Sequence, residues 1–131
     1  MNMKLNKIYA EISAGELIDK ITILEIKKAK INNKEKLVEI NKELSTLNET
    51  CAKAIPDISK IKSYIEKLKK INFQLWDIED SKRNAEKKQD FGKEFISLAR
   101  NVYKINDVRA EIKLKINEAL GSNVKEVKSY E

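Results

Sequence analysis

Two apolar stripes with helical spacing constrain the fold of this chain more than any other feature. One runs through residues 61–78 and the other through residues 91–120. In both, apolar side chains recur at alternating intervals of three and four residues, which places them on one face of a helix. The second stripe consists of Phe91, Phe95, Leu98, Val102, Ile105, Ile112, Ile116 and Leu120. At position 109, where this pattern expects an apolar side chain, the sequence has Arg109.

The N-terminal half of the chain predicts two further helices. Ser13 and Glu16 form a capping box at the start of helix one, which we expect over residues 14–31. Ile23 and Ile26 lie off its main apolar face, so helix one is apolar over much of its circumference. Such a helix is either central in the fold or part of an oligomer interface.

Helix two follows a short turn at Asn32 and Asn33 and is amphipathic. Its apolar face is formed by Leu37, Ile40, Leu44, Leu47 and Cys51. Pro56 separates helix two from helix three, which we expect to begin near Asp57 or Ser59 and to continue to about Lys87.

Helix four is predicted to begin after a loop at residues 89–92, with Asp90 as its cap, and to end at Gly121 in the left-handed conformation. Since short turns favour antiparallel neighbours, helices one and two form one hairpin and helices three and four another. Only three glycines and one proline occur, which argues against sheets. The predicted fold is all-α, an antiparallel four-helix arrangement made of two helical hairpins.

The length of 131 residues fits one domain. We expect a single helical domain over residues 1–131, with an N-terminal arm at 1–12 and a C-terminal tail at 122–131. No run of 18 or more apolar residues predicts a membrane span, and the first ten residues lack the apolar stretch of a signal peptide. These features indicate a cytoplasmic protein. The lone Cys51 continues an apolar face, which favours a buried structural thiol.

The charge pattern argues against nucleic acid as a partner. The net charge is +6, but 21 acidic residues are interleaved with 27 basic ones. The most basic segments, residues 27–30 and 67–70, lack the aromatic side chains of a base-stacking surface. The chain has no histidine, which excludes histidine-based catalysis and histidine-ligated metals.

Polar side chains surround Arg109 on the predicted hairpin of helices three and four. With a turn centred near residue 90, residue numbers that face each other add to about 180, which brings Arg100 close to Asp80. The candidate ligand-binding residues are Trp76, Asp77, Asp80, Arg100, Tyr103, Asp107, Arg109 and Lys113. Because burying an unpaired guanidinium costs several kcal/mol, Arg109 needs a carboxylate from its own helix, from helix one, from a ligand or from a partner.

Each candidate also has a purely structural interpretation. Arg100 and Asp80 are most simply an interhelix ion pair. Trp76 and Tyr103 are expected in the wall of the core, and Asp107 in a solvated ladder of charges along helix four. Arg109 itself can specify helix register or an oligomer contact.

The residue types in the chain readily permit one class of catalysis, the metal-dependent hydrolysis of a phosphate ester. In such a site, carboxylates hold Mg²⁺ or Mn²⁺, and the metal ion activates the attacking water. Glu16 with Asp19 and Asp77 with Asp80 are carboxylate pairs of the kind that all-α nucleotide pyrophosphatases use. Here 57 residues lie between the two pairs, far more than in those enzymes. The sequence therefore assigns no catalytic residue, no metal ligand and no cofactor, and it leaves open whether the chain is an enzyme.

Several strings of the sequence carry a resemblance to a known family. They are residues 15–27 (GELIDKITILEIK), 75–80 (LWDIED), 95–103 (FISLARNVY), 106–113 (NDVRAEIK) and 128–130 (KSY). In this order they resemble an uncharacterised bacterial and phage family, a domain of unknown function. The resemblance implies a loose association with surface-glycan synthesis, because such domains also occur appended to glycan-synthesis proteins. Lys82 and Arg83, after the second string, depart from the family pattern.

Two functional hypotheses follow. The first is a small non-catalytic helical binding or assembly module, a homo-oligomer whose interface uses the apolar surface of helix one and Arg109. The second is metal-dependent binding or hydrolysis of an anionic small molecule, a nucleotide or sugar nucleotide. It would use Arg100, Arg109 and Lys113 for phosphate and Asp77, Asp80 or Asp107 for a metal or sugar hydroxyls.

Overall fold

The computed structural model describes residues 3–129, which form four α-helices and one 3₁₀ turn and contain no strand. The helices are α1 (Ala14–Lys30), α2 (Lys34–Ala54), α3 (Lys62–Lys87) and α4 (Lys93–Leu120), and the 3₁₀ turn (Ile58–Ile61) precedes α3. The all-α class and the four-helix arrangement are confirmed. Residues 1, 2, 130 and 131, which belong to the predicted arm and tail, lie outside the described residues.

Most helix ends follow the predicted caps, although the Glu16 carboxylate contacts Lys113 and Lys20 and does not complete the predicted capping box. The Ser13 side chain accepts from the Glu16 amide at 3.1 Å, and Gly121 ends α4 with φ of 66°. Asp57 caps the 3₁₀ turn by accepting from the Ser59 amide at 3.1 Å. The prediction for Asp90 was wrong, because Gly92 occupies the cap position of α4. The Asp90 carboxylate instead accepts from the Gly92 amide at 3.2 Å and stabilises the loop.

Helix α1 lies at the centre of the fold and packs against α2, α3 and α4. Side chains on several of its faces are buried, among them Ile18, Leu24 and Ile26. This explains why α1 is apolar over much of its circumference. Within residues 3–129, α2 packs on α1 alone, so α1 separates α2 from the hairpin of α3 and α4.

The α3–α4 hairpin has two different halves. In the half that packs on α1, Leu68 and Ile116 are completely buried, and Ile61 before α3 joins them. In the other half, which we call the distal hairpin (residues 73–107), no side chain reaches full burial. In the distal hairpin α3 and α4 meet along a half-buried seam, and α1 contacts its start through Lys30, which lies over the Phe73 ring, and through Ile23 beside Trp76.

The N-terminus of α1 approaches α4 closely at Gly15. A Cβ atom on this residue would lie 2.4 Å from the Lys113 carbonyl oxygen, so only glycine fits here. The Gly15 amide donates to Asn117 Oδ1 at 2.6 Å, and the Ala14 amide donates to Ser122 Oγ at 2.7 Å. The first amides of α1 are therefore bound by the end of α4 and the residues after it.

No helix within the described part of the chain is both long enough and apolar enough to cross a membrane.

Candidate functional site

The centre of the polar cluster is Asp19 on α1, a carboxylate with only 1% of its surface exposed. Arg109 on α4 binds it with both ends of its guanidinium fork. Nε donates to Oδ1 at 3.0 Å, and Nη2 donates to Oδ2. Asn72 on α3 adds a third donor, its Nδ2 lying 2.9 Å from Oδ1. The carboxylate that Arg109 requires therefore comes from helix one, which is one of the sources that the sequence allowed.

Further polar groups complete the shell around this pair. Thr22 accepts a hydrogen bond from Asn72 Nδ2 at 2.9 Å and donates its own hydroxyl to the Asp19 carbonyl at 2.8 Å. Arg109 Nη1 donates to Asn106 Oδ1 at 3.3 Å. Within residues 3–129, no buried side-chain nitrogen or oxygen atom is left without a hydrogen-bond partner.

Lys113, one helical turn beyond Arg109, is surrounded by three carboxylates. Its Nζ lies 2.7 Å from Glu16 Oε2, 3.3 Å from Glu126 Oε2 and 3.7 Å from Asp19 Oδ2. This contact ties the segment after α4 to α1 through one lysine. We refer to Glu16, Asp19, Thr22, Asn72, Asn106, Arg109, Lys113 and Glu126 together as the Asp19 cluster.

The electrostatics of the cluster keep its cations charged. The hydrogen bond that Arg109 donates to Asp19 raises the pKa of Arg109 and outweighs the effect of burial. Burial lowers the pKa of Lys113, but its hydrogen bond to Glu16 and the charges of its carboxylate neighbours raise it overall. Hydrogen bonds from Lys128 and Lys113 lower the pKa of Glu126. Arg109 and Lys113 thus keep their protons at neutral pH, and neither can act as a general base.

Three of the eight candidate residues line one groove. Trp76, Asp80 and Arg109 form part of the wall of a groove of about 400 Å³, together with Arg83 and Glu79. The groove lies beside α1, which contributes Ile23. It therefore offers an indole surface, exposed carboxylates and the accessible edge of a fixed guanidinium.

The other five candidates are dispersed. Lys113 lines a separate groove between α4 and the residues that follow it. Asp77 and Arg100 are exposed, and Asp107 is half-buried. Tyr103 has 55% of its surface exposed, so its predicted place in the core wall was wrong.

The predicted ion pair between Arg100 and Asp80 does not form. Among the salt bridges of residues 3–129, neither side chain has a partner within 4.0 Å. The same is true of Asp107, for which a ladder of charges was expected. Arg100 is instead exposed to solvent, where ion pairs contribute little, and Asp107 is half-buried.

No group of three or more carboxylate or thiol side chains within residues 3–129 is placed to hold a metal ion. Of the two acidic pairs that suggested metal chemistry, Glu16 and Asp19 are bound by Lys113 and Arg109. Ammonium and guanidinium groups thus stand where a divalent cation would have to bind, which argues against a metal-dependent hydrolase at this pair.

Sequence reasoning did not place Asn72, Thr22 or Glu126 at the site, and it treated Asp19 only as a possible metal ligand. A signal was nevertheless present. Asp19 and Asn72 stand among apolar side chains on the buried faces of α1 and α3, as Arg109 does on α4. Three polar interruptions on three packed helices indicate one shared cluster.

A family model described as "Family of unknown function (DUF6165)" matches residues 8–131. No curated protein matches the chain, and no solved structure does.

Proposed function

Since the chain belongs to this family of unknown function, its role has to be inferred from its own residues, and we propose that it is a non-catalytic helical assembly module that works as a homo-oligomer. The observation that carries this proposal is the contrast between a closed polar cluster and an open apolar surface. The Asp19 cluster is satisfied within the chain, whereas large apolar side chains are left exposed elsewhere.

The pairing of charges within the Asp19 cluster indicates that these charges have a structural role. Arg109 and Lys113 are held by carboxylates of the same chain at hydrogen-bond distance. A cation that already has a buried or half-buried carboxylate partner attracts a further anion weakly, because the pair is nearly neutral. The cluster therefore joins α1, α3 and α4 rather than presenting free charge to a ligand.

The exposed apolar side chains include two groups that concern the proposal. In the arm before α1, Leu5, Ile8 and Tyr9 are 87%, 83% and 85% exposed. On α4, Ile96 and Tyr103 are 53% and 55% exposed. Single exposed apolar residues are ordinary, but contiguous groups of them mark interaction surfaces.

The position of the interface differs from the one that the sequence suggested. Ile26 has 2% of its surface exposed and belongs to the core, and Arg109 is paired with Asp19. Among the leucine and isoleucine side chains of α1, Ile23 alone is half-buried and the others are buried. We therefore infer that an interface between copies uses the arm or α4 rather than helix one.

The test is the molar mass of the purified protein over a concentration series, measured by sedimentation equilibrium and light scattering. We expect the weight-average mass to rise from that of one 15.1 kDa chain towards an integral multiple as the concentration increases. A single mass of one chain up to several hundred micromolar would contradict the proposal.

One specific observation supports a second candidate function, the binding of an anionic small molecule. Trp76, Arg83 and Arg109 share a groove. An indole can stack on a base, and the guanidinium of Arg83, which takes part in no salt bridge within residues 3–129, suits a phosphate. A nucleotide or sugar nucleotide is therefore the ligand class to test in the groove.

A thermal-shift screen with nucleotides, sugar nucleotides and Mg²⁺ or Mn²⁺ tests this second candidate. A ligand that binds only the folded state at one hundred times its Kd stabilises it by about 2.7 kcal/mol, which raises the melting temperature measurably. Trp76→Ala should abolish the shift, and the exposed Asp77→Ala, outside the groove, is the matched control. No shift at millimolar ligand would dismiss this candidate.

Three finer points remain predictions. Packing of α1 against the other three helices supports one domain. The buried free thiol of Cys51 is compatible with the reducing cytoplasm. The bacterial or phage origin and the connection with surface-glycan synthesis rest on the sequence resemblance alone.

A further inference from the structure

The fold brings together the two most basic segments of the sequence, which lie far apart along the chain. They are residues 27–30, in the last turn of α1, and residues 67–70, in α3. The Lys69 ammonium binds the Glu25 carboxylate at 2.9 Å, and the Lys30 ammonium lies 5.0 Å from the centre of the Phe73 ring. Both contacts join the end of α1 to α3, so the two segments adjoin in the folded chain.

A third basic segment, at the start of α2, extends this surface. The turn after α1 is three residues long, so Lys34 and Lys36 follow the last turn of α1 directly. We call the eight lysines of the three segments the basic patch, and they are Lys27, Lys28, Lys30, Lys34, Lys36, Lys67, Lys69 and Lys70. Residues 25–36 and 66–73 contain these eight lysines and three glutamates, which gives a net charge of +5. The rest of the chain is nearly balanced, since the whole chain carries +6.

Most lysines of the basic patch have no carboxylate partner. Within residues 3–129, Lys69 alone among them takes part in a salt bridge. The acids that border the patch, Glu39 on α2 and Asp77 on α3, bind none of its lysines within 4.0 Å. Five of the eight have neither a salt bridge nor an aromatic ring beside them in this part of the chain, and they are Lys27, Lys28, Lys34, Lys36 and Lys70.

The dipole of α2 makes two of these lysines unfavourable for folding. Lysines in the last turn of α1 meet the negative end of a helix dipole, so Lys27, Lys28 and Lys30 have a structural explanation. Lys34 and Lys36 stand in the first turn of α2, at the positive end, where a cation is disfavoured. The stability of the fold therefore does not explain Lys34 and Lys36, which indicates that they have a partner outside the chain.

The residue types of the basic patch favour an anionic lipid surface over nucleic acid. All eight cations are lysines, whose compact charges suit diffuse attraction, whereas an arginine fork suits a single phosphate or base. The rings of Phe73 and Tyr64 each have a lysine over one face, so they offer little surface for base stacking. Val38, one helical turn from Lys34, is 64% exposed. An exposed apolar side chain among lysines is typical of a surface that lies against lipid headgroups.

We propose that the end of the hairpin of α1 and α2, through the basic patch and Val38, binds the surface of a membrane that contains anionic phospholipids. Clusters of roughly four to eight basic residues bind such surfaces electrostatically and reversibly. The chain attaches to the headgroups and does not cross the bilayer. This inference goes beyond the assembly function proposed above and does not depend on it.

The number of unpaired lysines sets the expected affinity. Each lysine close to an anionic membrane raises the affinity roughly fivefold. The five unpaired lysines therefore predict an apparent Kd on the order of 0.1–1 mM accessible lipid. Because the Debye length falls from about 10 Å in 0.1 M salt to about 3 Å in 1 M salt, high salt should abolish the binding.

Sedimentation with vesicles tests the proposal on the full chain. One set of vesicles is an equal mixture of phosphatidylcholine and phosphatidylglycerol, and the other is phosphatidylcholine alone. In about 0.1 M salt the protein should sediment with the anionic vesicles and stay in solution with the neutral ones. A protein that stays in solution with anionic vesicles at millimolar lipid, or that binds both kinds equally, would overturn the proposal.

Removal of charge locates the surface. The variant Lys28→Gln/Lys34→Gln/Lys36→Gln, which we call the patch variant, removes three exposed lysines. It should weaken binding to anionic vesicles roughly a hundredfold, since each lysine contributes about fivefold. The patch variant should melt at no lower temperature than the wild type, because two of its three changes remove cations from the N-terminus of α2.

The matched control changes the same net charge at a different place. Lys87→Gln/Lys88→Gln/Lys93→Gln removes three exposed lysines at the turn between α3 and α4. Charges more than a Debye length from the membrane contribute little, so this variant should bind within about twofold of the wild type. Equal losses in the control and in the patch variant would show that net charge determines the binding, and the basic patch would not be the membrane-binding surface.

Two further measurements separate lipid from nucleic acid. Val38→Ser should weaken vesicle binding roughly threefold or more, because an apolar side chain no longer leaves water. An unchanged affinity would indicate a purely ionic site and overturn the assignment to lipid. Fluorescence anisotropy with a DNA duplex and a single-stranded RNA measures the alternative, and we expect weaker binding to both than to anionic vesicles at equal phosphate concentration. Tighter binding to either, lost in the patch variant, would assign the basic patch to nucleic acid instead.

Discussion

At the scale of single residues, the Asp19–Arg109 pair explains why the apolar stripe of α4 is interrupted. A charge in a helix seam costs several kcal/mol in desolvation, and this cost is recovered only when hydrogen bonds satisfy the remaining atoms. Arg109 and Asn72 both donate to Asp19 Oδ1, and Arg109 also donates to Oδ2. The arrangement fixes the relative positions of α1, α3 and α4, because each of the three contributes one member.

The strength of this pair can be measured with Arg109→Ala. Removing the guanidinium leaves the Asp19 carboxylate, which is 1% exposed, with the Asn72 amide at 2.9 Å and Lys113 at 3.7 Å. Since breaking a buried pair leaves an uncompensated charge, we expect the free energy of unfolding to fall by about 3–5 kcal/mol. Urea denaturation followed by circular dichroism measures it.

Arg83→Ala is the matched control for this loss. Arg83 is exposed and has no salt bridge within residues 3–129, so its removal should change the free energy of unfolding by less than about 0.5 kcal/mol. If Arg109→Ala were no more destabilising than Arg83→Ala, the Asp19 cluster would not be a structural element of the fold.

At the scale of helices, spacing alone predicted the four elements but not all of their contacts. The apolar stripe of α4 is narrow. The sequence therefore predicted which side of α4 faces the core, and it showed that Arg109 interrupts this side. Helix α1 is apolar on several sides, so its spacing did not show that Asp19 faces α4 while Leu24 faces α2. The sequence therefore limited the partner of Arg109 to a carboxylate of helix one, of its own helix, of a ligand or of a partner, but it did not identify which of these it is.

Contacts between side chains on a hairpin were predictable only as far as register determines them. The turn near residue 90 places Ala85 and Phe95, with numbers that add to 180, in the wall of one groove, as the antiparallel arrangement requires. Register sets the height of a residue along the hairpin, whereas rotation of the helix decides whether it points inward. Arg100 and Asp80 are at the same height but exposed, so they form no pair.

At the scale of the whole molecule, burial is distributed unevenly, and stability should follow it. Side chains with no exposed surface cluster where α1 meets α3 and α4, as Ile61, Leu68 and Ile116 do. The distal hairpin has no fully buried residue, and among the helices of residues 3–129 α2 packs on α1 alone. Regions with few buried contacts open without global unfolding.

Hydrogen exchange followed by mass spectrometry should therefore resolve two levels of protection. At low micromolar concentration, peptides from residues 15–26 and 109–117 should exchange only through global unfolding. Peptides from residues 76–104 should exchange at least tenfold faster, because two helices that share one half-buried seam separate and fray at a lower free-energy cost. Equal protection of the distal hairpin and of α1 at low concentration would show that a single seam stabilises these helices as well as a three-helix core does.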